Sequence, residues 1–511
     1  MAEPIAGKAL LPVEQRGLLT LGVMCAMIMQ ILDTTIANVA LPRMTTSLAA
    51  TRDTVTWVLT SYIIATAIAL PATGWLSDRF GSRNLFLAAV AGFVISSMLC
   101  GTAVSLEEMV LFRIFQGVCA AFMNPLSQTS MLDINPPERA AKAMAIWGMG
   151  VMVGPILGPV IGGWLTESYN WRWCFYINVP IGIMTFAILW FLLPSRPIVK
   201  RSFDAVGFAF IGIAVGSFQL MLDRGQEQDW FSSWEICIEA MVAVAAAWVA
   251  IVHLVTTDKP LFDRHLFHNR NLNMSLFFMV VIGISTMAPM ALLPPMLQQL
   301  FGYPVIDTGF MMAPRGLGVL FTMWLAGRLI GKIDTRYIVM IGFVTYAVSL
   351  RQMASWSLEM DFWPVVISGF IQGLGMGLVF MPLNSLAFAT LENRYRTDGA
   401  SLLNLMRSVG QSAGISMVTV LLSRNIQISH ADLASHITDK SIPTLDLGAL
   451  DRLGRFSDTA FAFADATINR QAAMIAYIDN FYLMSWIAIL VLPLVLFLKK
   501  PKGKVEIVHA E

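Results

Sequence analysis

Apolar stretches of about 20 residues recur along the whole chain and are separated by short polar segments. A stretch of this length spans the hydrocarbon core of a bilayer as an α-helix. The pattern therefore predicts an all-α polytopic membrane protein with fourteen transmembrane helices. We expect these helices near residues 17–40, 54–75, 84–103, 107–131, 143–166, 174–194, 204–222, 234–256, 273–299, 307–331, 336–356, 363–390, 398–424 and 480–498.

Positively charged residues are distributed unevenly over the segments between these helices. With the N-terminus in the cytoplasm, most Lys and Arg residues fall on the cytoplasmic side. The short outer loops then hold only Arg43, Arg52, Arg172, Arg224 and Arg351. Positive residues are retained on the cytoplasmic side of a membrane, so we predict that both termini are cytoplasmic.

The outer segment 425–479 is far longer than the other connections and is polar. Apolar residues in its second half recur at roughly helical spacing, which predicts one or two short amphipathic helices. The alternative is a disordered spacer. A long loop with its own periodicity is more often functional than not.

Two parts of the sequence recur in the second half of the chain. GWLSDRFGSR from Gly74 is repeated as GRLIGKIDTR from Gly327. FQGVCAAFMNPL from Phe115 is repeated as IQGLGMGLVFMPL from Ile371. The chain therefore contains an internal repeat of about half its length.

Parallel repeats of six helices are typical of a transporter built from two helical bundles, with the substrate at their interface. The helices predicted within 204–256 have no repeat partner, which indicates an inserted hairpin. We predict a six-helix bundle in 1–194, the inserted pair in 195–259, and a second six-helix bundle in 260–511. The second bundle includes the loop 425–479.

Composition excludes several other classes of protein. Only 13% of the residues are charged, whereas soluble domains carry about 25%. A net charge of +1 gives no basic field for nucleic acid. The sequence has no ATPase phosphate loop and no Cys or His pairs at metal-binding spacing, so we expect neither ATP hydrolysis, nor a metal, nor an enzyme.

Two ionisable residues lie inside predicted helices at similar depth. Asp33 is in the first helix and Arg113 is in the fourth. A charged side chain inside a membrane is costly and is therefore a functional candidate. Our hypothesis is that they form a proton-coupling pair, in which Asp33 takes a proton when the pair separates. The alternative is a purely structural ion pair.

Other polar and Met residues within the helices are candidates for a substrate cavity. Met side chains adapt to varied apolar ligands. Arg407 can attract an anionic substrate or a carboxylate across the bundle interface, and a structural role through backbone carbonyls is equally open. The predicted cavity residues are Met27, Gln30, Gln116, Asn124, Gln128, Arg315, Gln372, Asn384 and Arg407.

The fifth predicted helix carries glycines at a spacing of four residues, which puts them on one face for close helix packing. The stripe consists of Gly150, Gly154, Gly158 and Gly162, and Pro155 adds a local bend.

The predicted tight loop after the second helix combines glycines with charged residues that can hold the bundles together in the outward-facing state. Asp133, at the inner end of the fourth helix, is a candidate partner. The predicted latch consists of Gly74, Asp78, Arg79, Gly81, Arg83 and Asp133.

Taken together, these motifs resemble the major facilitator superfamily, and within it the fourteen-helix drug:proton antiporters of the EmrB/QacA type. QLMLDRGQEQDWFSS at 219–233 and the long loop before the last helix indicate the EmrB type more narrowly. The motifs that carry the resemblance are LDTTIANVALP at 32–42, GWLSDRFGSR at 74–83, LFRIFQGVCAA at 111–121, GVMVGPILGPVIGG at 150–163 and WRWCFYINVPIG at 171–182.

The resemblance implies a major facilitator fold and export of hydrophobic or amphipathic drugs by alternating access, driven by the proton gradient without a cofactor. It associates the glycine stripe with antiport and with sealing of the bundle interface. It also implies a bacterial inner membrane, a periplasmic adaptor protein and an outer-membrane channel as partners. The loop 425–479 is then a candidate contact for the adaptor. The alternative is a dedicated exporter of a fatty acid, siderophore or other anionic metabolite on the same fold.

Overall fold

The computed structural model describes residues 9–199, 201–436 and 458–498. Fourteen long helices build this part of the chain, and we number them in chain order. They are α1 (Arg16–Ser47), α2 (Trp57–Phe80), α3 (Ser82–Thr102), α4 (Leu106–Asp133), α5 (Ala140–Ser168), α6 (Trp173–Leu192), α7 (Ala205–Arg224), α8 (Trp234–Thr256), α9 (Arg270–Leu300), α10 (Val305–Leu329), α11 (Thr335–Met353), α12 (Trp363–Ala389), α13 (Arg396–Ser435) and α14 (Asp458–Val491).

Thirteen of these helices are long and apolar enough to cross a membrane, judged over the described residues. The remaining one, α11, has 19 residues and carries Arg336 and Arg351 near its two ends. It packs between α12 and α14. Charged helix ends flanking an apolar centre are compatible with a short membrane span, so the predicted all-α architecture is confirmed.

Short polar residues and glycines set the helix ends. The Ser105 hydroxyl accepts a hydrogen bond from the Glu108 N–H at 3.3 Å and caps the start of α4. Gly81 ends α2 with a φ of 86°, a left-handed conformation that disfavours other residues. The chain can therefore turn directly from α2 into α3.

The two halves repeat the same helix pairs. In the first half, α1 packs on α5, α2 on α4, α3 on α4 and α3 on α6. In the second half, α9 packs on α13, α10 on α12, α11 on α12 and α11 on α14. The sequence repeat is therefore also a repeat of packing, while the domain bounds at 194 and 259 stay a prediction.

The pair α7–α8 lies outside these repeated contacts. α7 packs against α8 and α2, and it also contacts α13 of the second half. Its Gly212 and Gly216 allow Ile68 of α2 to approach closely. The inserted hairpin therefore borders the junction between the two halves.

The halves themselves meet through α5 with α10 and through α2 and α4 with α13. We call the side of the molecule at which α1 begins the proximal side, and the opposite side the distal side. The contact of α13 with α2 involves residues 70–80, which lie at the proximal end of α2.

The helical periodicity predicted in the second half of 425–479 is confirmed from Asp458 onward, but the prediction of separate short helices is wrong for the described residues. α13 continues without a break to Ser435 and has 40 residues, and α14 already begins at Asp458. Residues 437–457 lie outside the described residues. No Pro or Gly occurs between Arg424 and Ser435 to end the helix, so the membrane helix continues into the polar segment.

The extended parts of α13 and α14 contact each other. The His430 imidazole lies 3.1 Å from the Asp465 carboxylate. A 40-residue helix is about 60 Å long, whereas the hydrocarbon core of a bilayer is about 30 Å thick. The two helices therefore extend well beyond the membrane on the distal side.

Candidate functional site

The centre of the first half contains a fully buried ion pair. Arg113 Nη1 on α4 lies 2.5 Å from Asp33 Oδ2 on α1, and neither side chain is exposed. The sequence predicts both residues as functional candidates, and the fold brings them into direct contact.

Two amide side chains complete the surroundings of the Asp33 carboxylate. Gln116 Nε2 and Asn178 Nδ2 each donate a hydrogen bond of 2.9 Å to Asp33 Oδ1. Gln116 Oε1 in turn accepts a hydrogen bond of 2.7 Å from Arg113 Nη1. This set of donors complements an ionised carboxylate.

Asn178 is a member of this site that the sequence analysis missed, although it lies within the motif WRWCFYINVPIG. Its Nδ2 also donates to the Ser97 hydroxyl oxygen at 2.9 Å. Gln116, conversely, is predicted to line a substrate cavity and is instead fully buried beside Asp33. The ion-pair site therefore draws on α1, α3, α4 and α6.

The Arg113 guanidinium is held on its other sides by α2. Arg113 Nε donates to the Val58 carbonyl at 2.9 Å. The Tyr62 ring lies 4.3 Å from the guanidinium carbon, a distance typical of a cation–π contact. Movement of α2 relative to α4 would therefore disturb Arg113 and with it Asp33.

The four glycines of α5 all face α1, the helix that carries Asp33. A Cβ atom at Gly154 would lie 2.5 Å from Ile31 Cγ2, and one at Gly158 would lie 2.0 Å from Thr35 Oγ1. Gly150 and Gly162 meet Met24 and Ile36 of α1 in the same way. The stripe thus seals α1 against α5 within the first half, rather than the interface between the halves.

Pro155 of the predicted stripe lies next to Gly154 on α5 and is partly buried. The contact between the halves uses a different face of α5, where Gly148 meets Met323 of α10. α5 therefore joins the helix of the ion pair on one face to the second half on another.

Ion pairs join the halves at the proximal end. Arg196 binds both Asp133 oxygens, at 2.5 and 2.8 Å, and donates to Thr397 Oγ1 at 3.1 Å. Arg396 of α13 reaches the same Asp133 at 3.2 Å.

A second group of charges lies beside the first. Arg201 Nη1 is 2.9 Å from Asp398 of α13 and 3.4 Å from Asp78 of α2. Arg201 also donates to the Leu261 carbonyl. We call the two groups together the latch network, and its members are Asp78, Asp133, Arg196, Arg201, Arg396 and Asp398.

The latch network differs in part from the predicted latch. Arg79 is exposed, and Arg83 donates to the Trp190 carbonyl of α6 at 2.5 Å instead of reaching the second half. Two of the three cations of the latch network, Arg196 and Arg201, lie on the connection between α6 and α7, and the third, Arg396, is the first residue of α13. Gly74 keeps its predicted place, because a Cβ there would lie 1.5 Å from Asp398 Oδ1.

The connection between α6 and α7 is fixed to the first half. The Val199 N–H donates to the Asp78 carbonyl at 3.0 Å, and Trp75 Nε1 donates to the Arg201 carbonyl at 3.0 Å. Arg196 and Arg201 therefore reach α13 from a segment anchored on α2.

Asp204, at the end of this connection, is held by several donors. Burial raises the pKa of its carboxyl, but hydrogen bonds from the Gly207 and Leu261 N–H groups and from His253 bring the pKa below its ordinary value overall. An ionised Asp204 caps α7 and attaches the segment before α9 to the connection.

A chain of polar side chains crosses between the halves at the level of the membrane interior. Gln128 Nε2 of α4 donates to Asn384 Oδ1 of α12 at 2.9 Å. Asn404 Nδ2 of α13 donates to Gln128 Oε1 at 3.3 Å, and Arg407 Nη2 donates to Asn404 Oδ1 at 3.1 Å. Three of the predicted cavity residues thus meet at the interface, together with Asn404, which was not predicted to line the cavity.

The remaining predicted cavity residues are scattered. Met27 is fully buried in the core of the first half, so the expectation that it faces an open cavity does not hold here. Asn124 is buried on α4, and Gln30 is partly buried on α1. Gln372 and Arg315 lie within the second half, where Gln372 contacts Met353. The nine residues do not form one continuous lining.

Among the described residues, no group of three or more His, Cys, Asp or Glu side chains is placed to hold a metal ion.

A helical membrane protein with repeated six-helix packing and a buried acid–base pair has the architecture of a secondary transporter. The family Major Facilitator Superfamily matches residues 23–415, and the chain belongs to this family.

Several relatives that match nearly the whole chain are named multidrug export proteins. The chain is 37% identical over 509 residues to the multidrug export protein EmrB of Haemophilus influenzae, covering 98% of each chain. It is 36% identical to EmrB of Escherichia coli K12, covering 95% of this chain and 96% of the relative. The fatty acid resistance protein FarB of Neisseria gonorrhoeae is also 36% identical, with 94% and 96% covered. The resemblance to EmrB-type exporters is therefore confirmed.

Solved structures show the same fold at low sequence identity. The human organic anion transporter MFSD10 aligns with a TM-score of 0.60 at 14% identity, covering 94% of this chain and 99% of that one. A double-Trp mutant of XylE aligns with the same score and identity, covering 95% and 96%. Together with the relatives, the fold supports a multidrug efflux transporter that crosses the inner membrane many times.

Proposed function

We propose that the protein is a proton-coupled antiporter that exports hydrophobic or amphipathic compounds from the cytoplasm. The observation that carries this proposal is the buried contact of Asp33 with Arg113, 2.5 Å long and enclosed by five helices. A carboxylate in such a place can take a proton only when its cation moves away. Proton binding is thereby tied to a change of helix packing.

Alternating access gives this coupling a direction. The proximal side is the cytoplasmic side, and the latch network holds it closed, as in an outward-facing state. A proton from outside binds Asp33 once Arg113 has moved away and keeps the two apart, and Arg113 moves together with α2, to which it is bound through the Val58 carbonyl. α2 carries Asp78 and Gly74 at its proximal end, so its displacement loosens the contact with α13 and opens the cytoplasmic side.

The test is uncoupler-sensitive efflux of a lipophilic dye from cells that express the chain. Asp33→Asn is expected to reduce the proton-dependent part of efflux by about a hundredfold, since catalytic ionisable groups typically contribute factors of this order. The matched control is Asp307→Asn, because Asp307 is an exposed aspartate at the distal end of α10. Full proton-coupled efflux by Asp33→Asn would contradict the proposal.

The chain is also proposed to act as the inner-membrane part of a tripartite pump in a bacterial cell. α13 and α14 extend far beyond the bilayer on the distal side and expose Ile428 and Phe463 there. This surface is a candidate contact for a periplasmic adaptor, which in turn would reach an outer-membrane channel. Pull-down of the adaptor should weaken on deletion of 437–457 or on Phe463→Asp, and unchanged recovery with both variants would contradict this role.

A second candidate function is a dedicated exporter of an anionic metabolite, such as a fatty acid or siderophore. The observation in its favour is Arg407, whose only protein hydrogen bond within the described residues goes to Asn404 Oδ1. One full-length relative is named for fatty acid resistance. An Arg407→Gln variant should lose export of anionic compounds and retain export of cationic ones. Equal loss of both would favour a structural role for Arg407.

A further inference from the structure

The internal repeat places a second polar site in the second half, at the positions equivalent to the Asp33 site of the first half. In the first half, the Cys100 thiol lies 3.7 Å from Gln116 Oε1. In the second half, Gln372 Nε2 lies 4.0 Å from Met353 Sδ. Gln116 and Gln372 are equivalent in the sequence repeat. Cys100 and Met353 stand at the same distance after the ends of the repeated GWLSDRFGSR and GRLIGKIDTR segments.

The charges of the two sites differ. The repeat places Gly369 at the position of Arg113, and Arg315 at the position of Tyr62. LPRM at 41–44 recurs as LPPM at 293–296, which places Ser285 at the position of Asp33. The second half therefore keeps a partly buried cation, moved from α4 to the equivalent of α2, but has replaced the acid by a serine.

Arg315 has few partners in this environment. Its Nη2 donates to the Thr286 carbonyl of α9 at 3.1 Å. Its Nη1 is buried and has no hydrogen-bond partner among the described residues. Gly369 of α12 lies beside it, and a Cβ there would be in ordinary contact with Arg315 Cβ, at 3.8 Å.

No acidic side chain of the described part of the chain lies within ion-pair distance of Arg315. An Arg side chain stays protonated in proteins. An unpaired buried charge is costly by several kcal/mol unless a counter-charge and hydrogen-bond acceptors are supplied. The first half supplies both through Asp33, whereas the second half offers Arg315 one backbone carbonyl.

We propose that Arg315 binds the charged group of a small monovalent anion between α9 and α10. The anion takes the place that the Asp33 carboxylate has in the first half and accepts a hydrogen bond from Arg315 Nη1. Both a halide and the carboxylate of a small organic acid have this chemistry. The site differs from Arg407, which points to the amide chain at the interface.

The site also has a structural link to transport. α10 carries Arg315 and packs on α5, and α9 supplies Thr286 and packs on α13. An anion between them therefore contacts α10, which packs on α5 of the first half, and α9, which packs on α13, the helix that meets α2 and α4.

The test is thermal unfolding of the purified full chain in detergent, with sodium gluconate replaced stepwise by sodium chloride or by sodium benzoate at constant ionic strength. Gluconate serves as the bulky reference anion. The unfolding midpoint is expected to rise saturably by about 2–5 °C, as ligand linkage predicts. A response to chloride identifies an inorganic anion. A response to benzoate alone identifies the acidic group of an organic compound.

Three variants decide whether the effect arises at Arg315. Arg315→Gln should abolish the response. Ser285→Asp should also abolish the response, because its carboxylate supplies the counter-charge of Arg315 in place of the anion. This second variant controls for the case in which Arg315→Gln loses the response because it misfolds. Arg328→Gln, on the same helix but stacked on Trp324, should respond as the wild type does.

The proposal is overturned if neither anion shifts the midpoint of the wild-type chain, or if Arg315→Gln and Ser285→Asp retain the response. Because the measurement needs no transport, its failure would leave the proposed antiport untouched. Loss of efflux in Asp33→Asn would likewise leave the anion site in place.

Discussion

The Asp33 carboxylate is held by neutral side chains as well as by Arg113. Asn178 and Gln116 each donate to Oδ1, while Arg113 binds Oδ2. A hydrogen bond to a charged group contributes about 1.5–3 kcal/mol. Removing one donor therefore weakens the contacts that hold Asp33 without removing the acid itself.

Asn178→Ala is predicted to reduce proton-coupled efflux about tenfold, because the Asp33 carboxylate then loses one of its two amide donors at Oδ1, a hydrogen bond worth about 1.5–3 kcal/mol. The measurement is uncoupler-sensitive dye efflux in proteoliposomes. Asn170→Ala, in the exposed turn before α6, is the control, and unchanged efflux by Asn178→Ala would contradict the role of Asn178.

At the scale of elements, α5 packs both on α1, the helix that carries Asp33, and on the second half. Its glycine face lies on α1 and its opposite contacts reach α10. Close helix contact of this kind tolerates no added side-chain atoms without separation of the helices.

Gly154→Leu is predicted to abolish efflux while leaving membrane insertion intact, because the added side chain would overlap Ile31 of α1. Overpacking of this kind typically costs about 1–3 kcal/mol. The control on the same helix is Gly163→Leu, since no atom lies within 4 Å of the Cβ position there. Expression and insertion are followed by membrane fractionation. Normal efflux by Gly154→Leu would show that α1 and α5 need not stay in close contact.

In the whole molecule, the ion pairs of the latch network join α13 to the first half at the proximal end. Arg196 and Arg201 lie on the connection between the bundle and the inserted hairpin, and each binds α13 as well as α2 or α4. Both arginines are only 14% and 24% exposed at their side chains, so their ion pairs are partly shielded from water. The closed proximal side is therefore stabilised by the connection between α6 and α7 as well as by contacts between the helices.

Arg196→Ala is predicted to open the proximal side about tenfold more often, because it removes the hydrogen bond from the charged Arg196 side chain to Thr397 of α13, which is worth about 1.5 kcal/mol. The measurement is the alkylation rate of a cysteine placed at Ser401, a buried residue that bonds to the Leu70 carbonyl. Arg79→Ala, which removes an exposed arginine nearby, should leave the rate unchanged. Equal rates in wild type and Arg196→Ala would remove Arg196 from the closing contact.

The sequence by itself determined the helices, their number and the internal repeat, because the length of an apolar stretch and its period follow from local chemistry and the bilayer. It also identified Asp33 and Arg113, since an ionisable residue inside a span is conspicuous without any geometry. Tertiary structure decided which polar residues meet. It placed Gln116 and Asn178 on Asp33, buried Met27 and assigned the proximal ion pairs to Arg196 and Arg201. These outcomes depend on the rotation of each helix and on contacts between residues far apart in the chain, which no local pattern encodes.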